Sequence, residues 1–360
     1  MPRSKGRARY LKHVGNSVVL ALALGMNLCS VAAAENGAEP PTVFQRADGT
    51  WQELGSWEAY GTLLGAQLDG ETALVEAVID AFVGVVERDG PNPTGTPQGD
   101  RSRVPPPLYL MVELSSTLEQ ATQRRRLQAL RTEHAFWMRD ERVAHLPEGR
   151  VLNRYRETPD TVPVDLNSLL YGLERSIATQ CRGAGNRACA ARYTAFADQR
   201  REAMRAYLWN APAGRYLDWE FATRDSGGSR GEAGRMTLSP LFTGVASTLE
   251  ATAIAGAVER ELLATGEAQS AAVGEATATA PAMNPPALTA WIAVSGLRRY
   301  GYTALAEQLA KRYLATVPLA LASSNAAHPM PEGFSAANGV ARALLELLPP
   351  PAQSPSTPSN

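Results

Sequence analysis

The 360-residue sequence predicts an all-α fold, and two observations carry that expectation. Apolar residues recur at helical spacing in nearly every informative window, and no strand-rich region interrupts them. The helical windows are joined by loops of uneven length, which suits a bundle, a helical solenoid or an α/α barrel. No fixed 34- or 40-residue repeat is visible, so the solenoid ranks last.

The elements follow in chain order. Residues 1–34 read as a secretory signal peptide: Arg3, Lys5, Arg7, Arg9 and Lys12 form a basic start, 18–28 a short apolar run, and Ala32, Ala33 and Ala34 a cleavage signal. The alternative, a lipoprotein anchored through Cys29, lacks the small residue expected at Leu28. Cleavage after Ala34 leaves 326 residues with 30 basic against 36 acidic side chains, an exported protein with no later span of about 18 apolar residues. In 71–87, Leu74, Val78, Phe82 and Val85 line one helical face. Leu127, Leu130, His134, Trp137 and Met138 do the same further on; His134 reads as a core histidine rather than a base, and Arg124, Arg125 and Arg126 as a solvated turn of that helix. After Pro163, Asp165 is placed as the cap of a helix carrying Leu166, Leu169, Leu170, Leu173 and Ile177. A helix over 190–209 is followed by a turn with a short extended piece at Trp209, Asn210, Gly214, Tyr216, Asp218 and Trp219, and helices are expected over 247–264, 287–300, 303–316 and 335–348. The loop 91–107 holds six prolines, 266–282 is an Ala/Thr/Gly stretch, and 349–360 is a Pro/Ser tail expected to be disordered, so the domain proper is 35–348.

Composition excludes several function classes. Thirty-five basic and 36 acidic side chains give a net charge of −1, which does not fit a general nucleic-acid binder. Three Cys and four His fall at no metal-ligand spacing, so no metal and no cofactor are expected, and Gly183 and Gly185 make no dinucleotide fingerprint. In an oxidising compartment Cys181 and Cys189 are expected to close a short loop as a disulfide; the alternative is two small buried thiols.

Several segments, taken in order, resemble the periplasmic and secreted trehalases, inverting glycoside hydrolases that split α,α-trehalose into two glucoses. They are Val-Pro-Val-Asp-Leu-Asn-Ser-Leu-Leu-Tyr (162–171), Trp-Ile-Ala-Val-Ser-Gly-Leu-Arg-Arg-Tyr-Gly-Tyr (291–302), Glu-His-Ala-Phe-Trp-Met (133–138), Leu-Asn-Arg-Tyr (152–155), Tyr-Leu-Trp-Asn (207–210) with Tyr216 and Asp218, and Glu332-Gly333-Phe334 with Asn338-Gly339-Val340. The resemblance implies an (α/α)6 barrel with a sugar pocket formed by loops at one end, and a small sugar, trehalose or a related glucoside, as the partner. In its first pocket segment, Trp57 is implied as a stacking surface for a glucose ring, with a core aromatic as the alternative, and Glu58 stands where the family has Asp. Asn92 and Arg101 are the candidates in the next two contact loops.

The catalytic segments depart from the family. An inverting glycosidase uses one carboxyl group as acid and another as base, about 6.5–9.5 Å apart. The family's acid lies between the Asn-Arg-Tyr and Pro-Val-Asp-Leu-Asn motifs, which here are separated only by the six residues 156–161. Its base precedes the last helix, where 314–330 holds no carboxylate. The barrel is therefore expected to be incomplete and its catalytic residues are left unassigned. Glu58, Asp218, Glu220 and Glu332 are the carboxylates that relocation would have to use.

Overall fold

The computed structural model describes residues 43–45, 51–53, 56–90, 107–156, 158–221, 238–264, 286–317 and 336–349. Its helices are α1 (Ser56–Leu68), α2 (Thr72–Asp89), α3 (Leu108–Glu113), α4 (Gln120–Trp137), α5 (Val164–Gly183), α6 (Arg187–Tyr207), α7 (Ser239–Thr243), α8 (Thr248–Ala264), α9 (Pro286–Arg299), α10 (Thr303–Thr316) and α11 (Ala336–Glu346). Eight strands of two or three residues pair antiparallel in four small ladders: β1 (Val43–Gln45) with β2 (Trp51–Glu53), β3 (Val143–His145) with β4 (Val151–Asn153), β5 (Thr161–Val162) with β8 (Trp219–Glu220), and β6 (Trp209–Asn210) with β7 (Arg215–Tyr216). The signal-peptide segment 1–34, the low-complexity stretch 266–282 and the tail beyond Pro349 lie outside the described residues.

The helices sort into an inner ring and an outer layer. Each of α1, α3, α5, α7, α9 and α11 packs against the next, and α11 returns to α1, so the inner wall closes as an (α/α)6 toroid. Outer helices α2, α4, α6 and α10 back this wall, and α8 is tied in through β7. Inner helices must be apolar or small all round, and α1 meets that demand with buried Trp57, Tyr60, Leu63 and Leu64 interspersed with Gly61 and Gly65. The glycines let α11 lie close alongside: a Cβ on Gly61 would sit 2.6 Å from Cβ of Ala336, and one on Gly65 2.9 Å from Cα of Gly339. Residue numbers rise together along this contact, so α1 and α11 run parallel, and an outer helix returns the chain between successive inner ones. A Cβ on Gly339 would collide with the carbonyl oxygen of Gly61. Gly339→Ala is therefore expected to destabilise the protein by about 1–3 kcal/mol through forced separation of α1 and α11, seen as a lower urea midpoint. A midpoint equal to wild type would show that the contact yields freely.

Helical periodicity anticipates most of the core. Leu166, Leu169, Leu170, Leu173 and Ile177 of α5 are all fully buried. On α2 the buried face centres on Val75, Ile79, Val83 and Val86, with Val78 and Phe82 beside it, while Leu74 is only partly buried. Inserting between α1 and α4 turns this helix by about one residue from the predicted stripe.

The triple-arginine reading needs correction. Arg124 and Arg125 are exposed, Arg125 pairing with Glu87, but Arg126 is buried. Its guanidinium donates to Asp80 at 2.7 and 2.9 Å and to Glu76 at 2.6 Å, so two outer-helix carboxylates compensate its desolvation. Burial opposes ionisation of Glu76, but Arg126, Ser116 and Ser115 outweigh it and hold the carboxyl below its ordinary range.

The α5–α6 corner is closed twice. Asn186 accepts a hydrogen bond from the Cys189 amide at 3.0 Å, which caps α6, and Gly185 takes φ of 73° to make the turn. Cys181 and Cys189 form a disulfide across it, with Cα atoms 5.8 Å apart.

Candidate functional site

The inner helices start at one end of the toroid, where β5 leads into α5 and pairs with β8 on the way to α7. This end gathers the sequence-predicted residues that the structure describes. Trp57 lies in the first turn of α1, 4% exposed, edge-on to Tyr60 with centroids 6.1 Å apart; its Nε1 is buried and has no hydrogen-bond partner among the described residues. Glu58, the next residue, is half-buried. Asn92 and Arg101 lie outside the described residues, as does Glu332.

Carboxylates cluster where α5 begins. Pro163 occupies the cap position, and Asp165 sits inside the first turn rather than capping it. The Val164 amide instead donates to Oδ1 of Asp218, 2.8 Å away, from a residue 54 positions further along the chain. Asp165 Oδ1 accepts from the Leu166 amide at 2.6 Å and from the Tyr155 hydroxyl at 3.4 Å. Burial, then the charges of Asp165 and Glu220, push the Asp218 carboxyl up to about 7, against the opposing hydrogen bond from Val164. Burial likewise raises Asp165, although Leu166 and Tyr155 stabilise its charge. Both carboxylates thus serve free amides at a helix N-terminus.

Behind them lies a buried polar network that sequence reasoning did not reveal. The Asn153 amide donates to Oδ1 of Asn167 at 2.8 Å, and Asn167 Nδ2 returns bonds to the carbonyls of Asn153 (2.9 Å) and Pro163 (2.8 Å). Arg200 on α6 donates to Oδ1 of both asparagines, at 2.8 and 2.9 Å, and through Nε and Nη2 to Glu174 at 2.7–3.1 Å. His134 Nε2 donates to the same carboxylate at 3.2 Å, with its ring stacked on Phe196 and edge-on to Tyr193. His134 is thus a satisfied core histidine. The cluster locks β4 to α5 and so fixes how the chain enters the toroid at this end.

Between Arg154 and β5 the chain makes a short turn: the Thr158 amide bonds the Tyr155 carbonyl, and the Thr161 amide bonds that of Thr158. Asp160, exposed, is the carboxylate described there; Glu157 lies outside the described residues. Among the described residues no group of His, Cys, Asp and Glu could hold a metal ion, and no helix is long and apolar enough to cross a membrane.

A closed ring of inner helices backed by outer ones, with Asp165, Asp218 and the Asn153, Asn167 and Arg200 cluster gathered where α5 starts, defines an (α/α)6 toroid. The match extends to sequence: the family model described as Trehalase covers residues 48–161 and 154–343, and the chain belongs to the trehalase family. Periplasmic trehalase of Xanthomonas oryzae pv. oryzae is 32% identical over 390 residues, covering 84% of this chain and 67% of that protein. Periplasmic trehalase of Pseudomonas aeruginosa is 30% identical over 394 residues, covering 84% and 70%. Among solved structures, neutral trehalase Nth1 from Saccharomyces cerevisiae superposes with a TM-score of 0.62 at 18% identity, covering 81% of this chain and 71% of that one. A GH63 mannosylglycerate hydrolase from Thermus thermophilus in complex with glucose gives 0.52 at 17%, covering 81% and 92%. Because 84% of 360 residues is fewer than the 390 aligned, the Xanthomonas relative carries residues with no counterpart here.

Proposed function

We propose that this chain is an exported, periplasmic trehalase-family protein that binds a small glucoside at the leading end of its toroid and has lost the hydrolysis of trehalose. The observation that carries the reading is the segment leading into α5. Six residues, turning on two backbone hydrogen bonds, occupy the place where the family's acid is expected. The two family-model matches overlap at 154–161, which agrees with residues missing at that point. Asp165 and Asp218 are both committed to backbone amides, and the stretch expected to supply the base contains no carboxylate. General acid and base groups are each worth about 10²–10⁴-fold, so loss of both removes most of the rate.

The sugar would be held by Trp57 and Glu58 with Asn92 and Arg101. Purified protein is expected to release no glucose from trehalose between pH 4 and 8, while titration calorimetry with trehalose or a validoxylamine-type analogue gives heat that Glu58→Ala abolishes. Absence of heat would discard the sugar-binding part of the reading.

A rival reading, hydrolysis by relocated carboxylates, draws on Asp218, whose carboxyl near 7 lies in the range of a working general acid. Steady glucose release that disappears in Asp218→Asn, with the melting curve retained, would replace the proposal with this one.

A further inference from the structure

A cavity of about 970 Å³ opens at the opposite end of the toroid, where the inner helices finish. It owes its existence to unequal helix lengths. Inner helices α3 and α7 stop after six and five residues, while α5 runs for 20 and α9 for 14, so the wall ends unevenly and leaves a recess. Tyr60, Tyr109 and Tyr171 lie at its deep side. Tyr60 is fixed by the hydrogen bond from Trp291 Nε1 at 3.0 Å, and Tyr109 is wedged against Gly172, where any Cβ would collide with its hydroxyl.

The lining carries an excess of positive charge. Arg124, Arg175 and Arg299 are exposed and line the cavity, and Arg124 and Arg175 form no ion pair among the described residues. Arg299 is held over Gly244, its Nη1 3.2 Å from where a Cβ would stand. Arg126 also reaches the lining, but Glu76 and Asp80 neutralise it. Opposing these cations is Glu113, accessible in the recess yet surrounded by protein. Burial pushes its carboxyl upward, while Ser176 and Arg299 hold it down.

Helix C-termini also contribute negative potential, about half a charge each for α5 and α9, and little from the one-turn α3 and α7. The cations free to meet an anion are therefore local ones, Arg124 and Arg175, which form no ion pair among the described residues, with Arg299 facing Glu113. The remaining lining mixes hydroxyl and amide groups, from Ser115, Thr117, Gln123, Thr179 and Thr243, with the apolar side chains of Leu110, Leu114, Leu127 and Phe242. Hydroxyls, amides and tyrosines around a cationic rim match a hydroxylated anion, and the volume lies within the usual range for small-molecule sites.

We propose that this recess, which opens away from the leading end, is a second ligand site for a small hydroxylated anion of the sugar-phosphate or sugar-acid class. The guanidiniums of Arg175 and Arg299 clasp the anionic group, and the tyrosines and Glu113 receive the hydroxylated part. Bidentate geometry favours arginine for either a phosphate or a carboxylate.

Titration calorimetry of the full chain with glucose 6-phosphate, glucuronate, inorganic phosphate and glucose tests this. Glucose 6-phosphate or glucuronate should bind, more weakly at high salt, with neutral glucose failing to compete. Arg175→Ala and Arg299→Ala should each weaken binding about 5–10-fold, the double variant should abolish it, and Glu58→Ala at the other end should leave it intact. Both arginines are exposed, so the melting curve should be unchanged, and Arg175→Lys should recover part of the affinity. Heat from none of the anions, or equal affinity in the double arginine variant, would overturn the proposal. Inorganic phosphate binding as tightly as glucose 6-phosphate would refute the sugar component.

Discussion

Replacing Arg200 by Met is expected to destabilise the folded protein by about 3–5 kcal/mol, the usual result of removing one partner from a buried ion pair. Arg200 and Glu174 are 5% and 1% exposed, and the guanidinium is the main compensation for a carboxylate that burial would otherwise protonate. Together with His134 it holds the Glu174 carboxyl below the ordinary range. Removing it also leaves Oδ1 of Asn153 and Asn167 without the donors they share, so α6 loses its grip on the β4–α5 junction. Circular dichroism should show a melt lowered by many degrees, and at acid pH, where Glu174 protonates, the gap to wild type should narrow. A double variant, Arg200→Met with Glu174→Gln, should recover part of the loss, because no bare charge then remains buried. A single variant within about 1 kcal/mol of wild type would show that water reaches this cluster and compensates the carboxylate.

The same network explains which family motifs survive. Asn153 comes from the Leu-Asn-Arg-Tyr segment and Asn167 from Pro-Val-Asp-Leu-Asn, and both spend every described side-chain bond on holding backbone or Arg200. Asp218, the other recognisable residue of this end, holds the first amide of α5. The retained motifs are thus accounted for by the demands of folding. The presence of Asn153, Asn167 and Asp218 argues for the toroid and does not by itself bear on hydrolysis.

Helices were legible because burial repeats with the helical period: α10 spans 303–316 as read, and α5 buries every leucine assigned to its core face. What the sequence concealed lies in pairings between distant positions. Arg126 sits in a run of three arginines, and its burial depends on Glu76 and Asp80, 50 and 46 positions away. Arg200 looks like any helix-surface arginine beside Arg201, which is exposed and pairs locally with Asp198. The two-residue ladders are too short for an alternating pattern to register. At the leading end, Trp57 and Glu58 could be picked out only through family resemblance, and the recess at the far end has no sequence signal at all, since it arises from where α3 and α7 stop.

The protein is expected to lose stability as pH rises from 5 to 8, with Glu133→Gln removing much of that loss. Glu133 is buried on α4, its Oε2 has no hydrogen-bond partner among the described residues, and burial alone pushes its carboxyl up to about 8. Below about pH 4.5 the group is protonated folded and unfolded alike, and the folded state suffers nothing. Above that, the unfolded chain ionises while the folded one keeps its proton, so stability falls by up to about 1.4 kcal/mol per pH unit until the buried group ionises near 8. Asp218, raised to about 7, adds a loss of the same sign over the lower part of this range. Glu76 and Glu174 have the opposite dependence, but their carboxyls are held low, so their contribution disappears only on the acid side and leaves the window from 5 to 8 untouched. Glu133→Gln keeps the shape and removes the titration. It should match wild type near pH 5 and exceed it by about 2–4 kcal/mol at pH 8, read from urea midpoints at the two pH values. Wild type and variant falling in parallel across the window would show that Glu133 is ionised in the folded protein, with its charge compensated from outside the described residues.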